Sequence, residues 1–247
     1  MPGAIPTQNC LMFLRALALF VGAMLSTATA AEPLPTVVFR NLDAGKKQTV
    51  VVYGTSLTAG GAWAGAVQKW FEKQYPGLVN FINSGGPGQN SDWGKANLKA
   101  KVLDHRPDLV LLEFSYNDAH EKFKMPVERG AGNLDAMVRA IRDQNAEAAI
   151  VLQTMNAPWD APTGKRPASS RPQLEAFNDN YRRYAQAHHL PLLDHYSSYK
   201  RLLDTEPDKY HRWLPDGSHP KAEASLAITW PAIRDFLEKA RAAAKAK

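Results

Sequence analysis

The sequence predicts a three-layer α/β/α sandwich built on a parallel five-stranded sheet with flavodoxin-like winding. Five apolar runs of strand length recur along the chain, and segments with the helical spacing of apolar residues separate them. Continuous apolar strands indicate a sheet buried on both faces, and parallel strands need crossover helices, which cover those faces. A chain of 247 residues with 45% hydrophobic residues is long enough to bury one such core.

Predicted strands and helices alternate from residue 49 to the end of the chain. The strands are expected at Thr49–Tyr53, Leu78–Asn83, Asp108–Phe114, Ala148–Thr154 and Leu190–Asp194. Helices are expected around 63–71, 134–141 and 174–184, and from Lys221 onward. Pro231 should interrupt or kink the last helix, because proline lacks the amide hydrogen. The stretch 156–172 is rich in Pro, Ala and Ser, and is interpreted as a functional loop at the carboxyl end of a strand.

The first thirty residues are predicted to be a secretory signal peptide, followed by a single domain over 31–247. Arg15 precedes the apolar run 16–25, and Ala28-Thr-Ala30 offers small residues for cleavage. The run is short for a membrane span, so we expect a periplasmic or extracellular protein with no stable membrane insertion after cleavage. The only cysteine, Cys10, lies in this segment, which excludes disulfides and thiol catalysis from the mature chain.

The charge pattern does not favour a nucleic-acid partner, and the spacing of the histidines does not favour a metal site. The formal net charge is +6, and the basic residues are mixed with acidic ones along the chain. No basic stripe is interleaved with aromatic residues, which is the pattern typical of nucleic-acid surfaces. The histidines away from the motifs described next lack the spacing of metal ligands.

Four short motifs occur where such a sheet would expose them. Three of them follow predicted strands and the fourth precedes the last helix: GTSLTAG (54–60), NSGGPGQNS (83–91), SYND (115–118) and DGSHP (216–220). Each alone is typical of a turn or a helix cap. Because ligands of α/β sheets bind at the carboxyl ends of the strands, we expect the four motifs to converge there.

Together the motifs supply the groups that acyl transfer needs. Ser56 is the candidate nucleophile, and His219 the base that takes its proton. Asp216 would hold the imidazole in the right tautomer and stabilise its charged form. The developing oxyanion needs donors fixed in advance, which the backbone amides of Ser56 and Gly88 and the side chain of Asn117 could provide.

In order and spacing, these motifs resemble the SGNH hydrolases, also called GDSL esterases and lipases. The family's named Ser, Gly, Asn and His correspond to Ser56, Gly88, Asn117 and His219. The resemblance extends over Tyr53–Pro220. It implies a hydrolase without metal or cofactor that acts on esters or thioesters through an acyl-enzyme.

Two positions depart from the family pattern. Thr55 stands where the family usually has Asp before the nucleophile, and Ser115 where it commonly has Gly two residues before the Asn. Ser115 suggests a differently shaped oxyanion loop. Gly88 fits the family's spacing best, with Gly85 or Gly86 as the alternative amide donor.

The predicted function is a secreted serine esterase that removes short acyl groups, acetyl above all, from a carbohydrate or cell-wall polymer. The substrate is thus a small-molecule or polysaccharide ester, and Tyr116 and Trp159 are candidates for stacking on it. A lysophospholipase or thioesterase is one alternative, with an apolar groove from Met155, Trp159 and Phe123. An O-acyltransferase that excludes water is another. A non-catalytic glycan-binding module is the third, and the intact Ser, His and Asp argue against it.

Overall fold

A single sheet of five parallel strands, in the order β2-β1-β3-β4-β5, lies at the centre of the protein. The computed structural model describes residues 34–246, so the predicted signal peptide lies outside the described residues. The strands are β1 Gln48–Tyr53, β2 Val79–Asn83, β3 Leu109–Leu112, β4 Ala149–Thr154 and β5 Leu192–Asp194. The predicted fold class is therefore confirmed, and each expected strand is present with ends within two residues of those expected.

Helices connect the strands and cover both faces of the sheet. In chain order they are α1 Thr36–Asp43, α2 Ser56–Ala59, α3 Ala62–Gln74, α4 Ser91–Lys101, α5 Ser115–Asp118, α6 Val127–Gln144, α7 Leu174–Ala187, α8 His195–Thr205, α9 Pro207–Trp213, α10 Ala222–Ala224 and α11 Trp230–Lys245. None of the helices within residues 34–246 is long and apolar enough to cross a membrane.

Alternation along the strands divides the core into two layers. Val50 and Val52 of β1 face the layer formed with α1, α3 and α11. Val51 and Tyr53 face the opposite layer, which α4, α6 and α7 cover. All four side chains are fully buried, as expected for a strand at the centre of a covered sheet.

Helix α4 was not predicted, because its apolar stripe is thin. Its buried positions are Ser91, Gly94 and Leu98. Gly94 lets α4 approach the sheet closely, since a Cβ atom there would lie 2.7 Å from the ring of Phe114. Close packing through a glycine leaves no apolar periodicity to detect.

The last helix is interrupted before Pro231, as the sequence predicts. A π-helical turn, Ser225–Thr229, joins α10 to α11, and the proline lies in the first turn of α11. Proline cannot donate to the carbonyl four residues earlier, and a wider turn accommodates the missing bond.

The carboxyl ends of the strands share one edge of the sheet, where the motif loops begin. The stretch 156–172 follows β4 at this edge and contains neither helix nor strand. It is therefore a long loop at a strand's carboxyl end, in the position that the sequence predicts.

Candidate active site

The first motif forms the turn from β1 into α2 and places Ser56 at the first residue of that helix. A Cβ atom at Gly54 would overlap the carboxylate of Glu113, so the turn needs a glycine. Thr55 is the N-cap, and its Oγ1 accepts a hydrogen bond from the amide of Leu57 at 3.1 Å. These contacts hold Ser56 at the carboxyl edge of the sheet, where ligands of such folds bind.

Ser56, His219 and Asp216 form a continuous chain of hydrogen bonds. Oγ of Ser56 lies 3.0 Å from Nε2 of His219. Nδ1 of the same ring lies 2.7 Å from Oδ2 of Asp216. This arrangement can move the serine proton onto the imidazole, while the carboxylate fixes the tautomer and stabilises the positive charge.

The loop between Asp216 and His219 keeps the carboxylate ionised. Partial burial raises the pKa of Asp216, but hydrogen bonds from His219 and from the amide of Ser218 together lower it by more than burial raises it. The net result is a pKa below the ordinary value of 3.8. Gly217 has φ of +76°, and a Cβ atom there would overlap the carbonyl oxygen of Trp159. The motif therefore needs glycine at this position.

Two pockets meet at Ser56, Pro87 and His219. The apolar pocket has a volume of about 330 Å³, and its walls include Leu57, Ala59, Trp63, Met155 and Pro220. The polar pocket has a volume of about 400 Å³, and its walls include Gly88, Tyr116, Asn117, Lys122, Lys165 and Arg171. A group attacked by Ser56 can thus extend into two chemically different spaces.

The backbone amides of Ser56 and Gly88 are free to act as oxyanion donors. Neither amide donates to an acceptor within residues 34–246, and Gly88 presents its amide from a backbone with φ of +71°. The amides of Gly85 and Gly86 are both engaged, with a side-chain and a backbone oxygen respectively. Of the three glycines considered from the sequence, only Gly88 offers an unused donor.

Asn117 lies in α5, directly after β3, and its side-chain amide is oriented from both ends. Nδ2 donates to the carbonyl oxygen of Gln89 at 2.7 Å. Oδ1 accepts from Nη2 of Arg171 at 3.4 Å. These bonds fix the orientation of the amide and leave a second N–H on Nδ2 for a ligand in the polar pocket.

Arg171 is a site residue that the sequence analysis did not single out. Its Nε donates to the carbonyl oxygen of Tyr116 at 2.9 Å, and its guanidinium lies 4.2 Å from the centre of the Tyr116 ring. The residue is only 8% exposed. Arg171 therefore braces α5 and brings a positive charge to the polar pocket. Its position in the loop 156–172 was the only sequence signal for it.

Glu113 lies under the turn that carries Ser56 and is fully buried. Its Oε1 accepts hydrogen bonds from the amide of Thr55 at 2.6 Å, from Oγ1 of Thr55 at 2.9 Å and from Oγ1 of Thr58 at 2.7 Å. Its Oε2 has no partner within the described residues. Burial raises the pKa of Glu113 to about 7, although the three donors lower it. Thr55, one of the two departures from the family pattern, thus donates two hydrogen bonds to this buried carboxyl group.

Ser115, the other departure, is fully buried and does not line either pocket. Its Oγ donates to Oδ1 of Asn178 in α7 at 2.8 Å. Asp118, two residues after Tyr116, accepts from the amide of Ser91 at 2.7 Å. Ser115 and Asp118 therefore fix α5 to the neighbouring helices.

The two aromatic candidates have different positions. Tyr116 lines the polar pocket, and its hydroxyl lies 2.6 Å from Oγ of Ser218. Trp159 lines neither pocket at Ser56. Its ring stacks on His211 with 3.8 Å between ring centres, and its Nε1 donates to the carbonyl of Leu214 at 2.7 Å. Trp159 thus packs the 156–172 loop against α9.

Within residues 34–246, no group of three His, Cys, Asp or Glu side chains is arranged to hold a metal ion.

Comparison with known proteins identifies one family model and several relatives. The model, described as the GDSL-like Lipase/Acylhydrolase family, matches residues 52–225, a segment that contains all four motifs. An arylesterase from Vibrio mimicus is 29% identical over 218 residues, which cover 83% of this chain and 94% of that protein. Thioesterase 1/protease 1/lysophospholipase L1 from Escherichia coli (strain K12) is 26% identical over 215 residues, or 84% of this chain and 89% of that protein.

The solved structures that resemble the protein include a two-domain esterase active on acetylated mannans. The two share a TM-score of 0.65 and 24% identity over 85% of this chain. The match covers 54% of that esterase, so this chain spans about half its length. This likeness supports the fold.

Proposed function

Since this chain belongs to the GDSL-like lipase/acylhydrolase family, the SGNH hydrolases, and is a carboxylic ester hydrolase, we propose that it is an exported serine esterase that cleaves its substrate through an acyl-enzyme on Ser56. The observation that carries this proposal is the hydrogen-bonded chain from Ser56 through His219 to Asp216, with 3.0 Å and 2.7 Å between the bonded atoms. Ser56 also lies beside the free amide donors, and it lines two pockets that can hold the two parts of an ester.

Acylation begins when Oγ of Ser56 attacks the ester carbonyl carbon and its proton passes to Nε2 of His219. The carbonyl oxygen becomes an oxyanion, which the amides of Ser56 and Gly88 and the Nδ2 of Asn117 stabilise. When the carbonyl reforms, the bond to the alcohol oxygen breaks, and the alcohol leaves with the proton from the imidazole. The product is the acyl-enzyme and the free alcohol.

Deacylation repeats these steps with water. His219 takes a proton from water, and the resulting hydroxide attacks the acyl carbon. The bond between the acyl carbon and Oγ of Ser56 then breaks, Oγ recovers a proton from His219, and the carboxylic acid is released. The His219 side chain is 53% exposed, so water reaches the base readily. This exposure supports hydrolysis over acyl transfer to another alcohol, because a transferase must keep water from the acyl-enzyme.

The apolar pocket supports acyl chains of several carbons. Its volume of about 330 Å³ is large beside the ~30 Å³ that one water occupies in the liquid, and it far exceeds the needs of an acetyl group. Leu57, Trp63 and Met155 provide apolar walls for a chain attached to Ser56. The thioesterase/lysophospholipase among the relatives agrees with a substrate of this kind.

Removal of acetyl groups from a carbohydrate or cell-wall polymer is the second candidate. The polar pocket favours it, because the side-chain amide of Asn117 is suited to a hydroxylated acceptor. Trp159 itself contributes through packing and not through this surface.

A panel of nitrophenyl esters from acetyl to decanoyl, together with acetylated xylan and acetylated peptidoglycan, tests both candidates. We expect turnover to be highest for a chain longer than acetyl. Ser56→Ala and His219→Ala should each lower turnover by about 10⁴-fold or more, because members of such a triad act as a unit. His105→Ala, at an exposed histidine remote from the site, is the matched control and should keep wild-type turnover. Wild-type turnover in Ser56→Ala would refute the mechanism.

Export is tested separately by the N-terminus of the protein recovered from the periplasm of a Gram-negative host. We expect mass spectrometry to find a chain that begins at or near Ala31, because Ala28-Thr-Ala30 provides the small residues for cleavage. Recovery of a membrane-bound protein with the intact N-terminus would contradict cleavage and would instead support a retained membrane anchor.

A further inference from the structure

The polar pocket carries positive charge that the proposed ester chemistry leaves without a partner. Its walls include Lys122, Lys165 and Arg171 but only one carboxylate, that of Asp216, which already binds His219. No ion pair within residues 34–246 includes any of the three cations. The pocket is therefore strongly electropositive next to the candidate nucleophile.

Arg171 is the buried member of this group, and all its hydrogen-bond partners are neutral. They are the carbonyl oxygens of Tyr116 and Pro167 at 2.9 and 3.0 Å, Oγ of Ser170 at 3.3 Å and Oδ1 of Asn117 at 3.4 Å. A guanidinium is always protonated at neutral pH, and burying a cation without an anion is unfavourable. A bound anion would offset that unfavourable term, and a planar guanidinium suits carboxylate and phosphate groups in particular.

His120 in the same pocket adds no charge to it. Burial, with a smaller effect of the positive charges of Arg171 and Lys122, lowers the pKa of His120 to about 4. Its Nδ1 accepts a hydrogen bond from the amide of Lys122 at 3.2 Å, which requires that nitrogen to be unprotonated. His120 is thus neutral at pH 7, and the charge of the pocket is set by the three cations and the single carboxylate of Asp216.

We propose, on the basis of the esterase function above, that the polar pocket binds a carboxylate or phosphate on the alcohol part of the ester, while the acyl chain occupies the apolar pocket. Both pockets open on Ser56 and His219, so one ester can occupy them together. The reverse orientation would place the anion among Leu57, Trp63 and Met155, where it would lose its hydration without gaining a partner.

Matched butyrate esters test this assignment. The anionic substrates are the butyrates of para-hydroxybenzoate and of hydroquinone monophosphate, and the neutral reference is the butyrate of para-hydroxybenzamide. For the wild-type enzyme we expect kcat/KM to be about 10-fold higher for an anionic ester than for the neutral one. This ratio should fall as salt screens the exposed lysines. The larger of the two ratios distinguishes a phosphate from a carboxylate substrate.

Two double variants locate the effect. Lys122→Gln with Lys165→Gln should lower the ratio, while the buried Arg171 keeps part of the preference for the anionic ester. Lys69→Gln with Lys73→Gln removes the same charge from exposed positions of α3 and should keep the wild-type ratio.

A wild-type ratio near one would overturn the proposal, and so would an unchanged ratio in the Lys122/Lys165 variant. Faster hydrolysis of a hemisuccinate of para-hydroxybenzamide than of the corresponding butyrate would also overturn it, because the anion would then belong to the acyl part. Failure of the esterase function itself has a different signature. In that case the neutral butyrate is not hydrolysed, or Ser56→Ala hydrolyses it as fast as the wild type.

Discussion

Replacing the buried Glu113 with Gln should flatten the pH dependence of the protein's stability. The Glu113 carboxyl group is fully buried, and desolvation raises its pKa from 4.5 to about 7. In the unfolded chain the same group is hydrated and ionises at its ordinary pKa. Between these two values the folded protein binds more protons than the unfolded chain, so the free energy of unfolding decreases as pH rises.

The size of the effect follows from the two pKa values. Below pH 4.5 the group is neutral in both states and no stability is lost. Above pH 7 it is charged in both states, and the rise of the pKa from 4.5 to about 7 corresponds to about 3 kcal/mol of lost stability. Glutamine has nearly the same shape, and its Oε1 can accept the same hydrogen bonds from Thr55 and Thr58. The variant should therefore keep the turn at Ser56 and lose only the titration.

Urea unfolding of the mature protein at a series of pH values from 4.5 to 8 measures this effect. Asp118, whose pKa burial also raises to about 7, contributes in the same direction, so Glu113→Gln should reduce the pH dependence without abolishing it. Glu121→Gln removes an exposed carboxyl group nearby and should follow the wild-type curve. If Glu113→Gln shows the same loss of stability between these pH values as Glu121→Gln, the burial argument for Glu113 is wrong.

Three further outcomes follow from the site. Asn117→Ala should lower kcat by about 10²- to 10³-fold with little change in KM, because an oxyanion contact strengthens in the transition state; a loss of melting temperature with unchanged kcat would instead assign Asn117 a structural role. Gly217→Ala should lower the free energy of unfolding by about 1–3 kcal/mol in urea titrations, since alanine meets both an unfavourable φ and the carbonyl of Trp159; wild-type stability would show that this loop adapts. Asp216→Asn should lower kcat by about 10³-fold or more in steady-state assays, because it removes the charge that stabilises the imidazolium; turnover near the wild-type value would remove Asp216 from the mechanism.

The positions of the strands along the chain could be predicted because each strand has a local sequence pattern. Each strand is an apolar run between turn residues, and in the central strands β1, β3 and β4 burial on both faces leaves almost no polar alternation to mislead the prediction. Helices such as α6 and α7 have wide apolar stripes and were found in the same way. Helix α4 was not, because it packs through Gly94 and so lacks the stripe that periodicity detects.

The sequence also determined which chemical groups meet at the edge of the sheet. Ser56 follows one apolar strand, Asn117 follows another, and Asp216 and His219 share one short loop. Parallel strands bring their carboxyl ends to the same edge, so residues placed just after them are brought together. Order and spacing alone were therefore enough to nominate these residues.

Only the tertiary structure decided which of the candidates have free groups and which are engaged. It left the amide of Gly88 free while those of Gly85 and Gly86 are bonded, and it placed Trp159 against His211 instead of in a pocket. These outcomes depend on how separate loops pack against one another, and local patterns carry no information about that packing.

Glu113 and Arg171 are the clearest examples of this difference. Glu113 meets Thr55 across 58 positions of sequence, and Arg171 meets Asn117 across 54. Periodicity and turn propensity report whether a residue is buried or turns the chain, because those depend on neighbours within a few positions. The partner of a buried charge is set by the distant segments that exclude water from it, and so it exists only once the chain has folded.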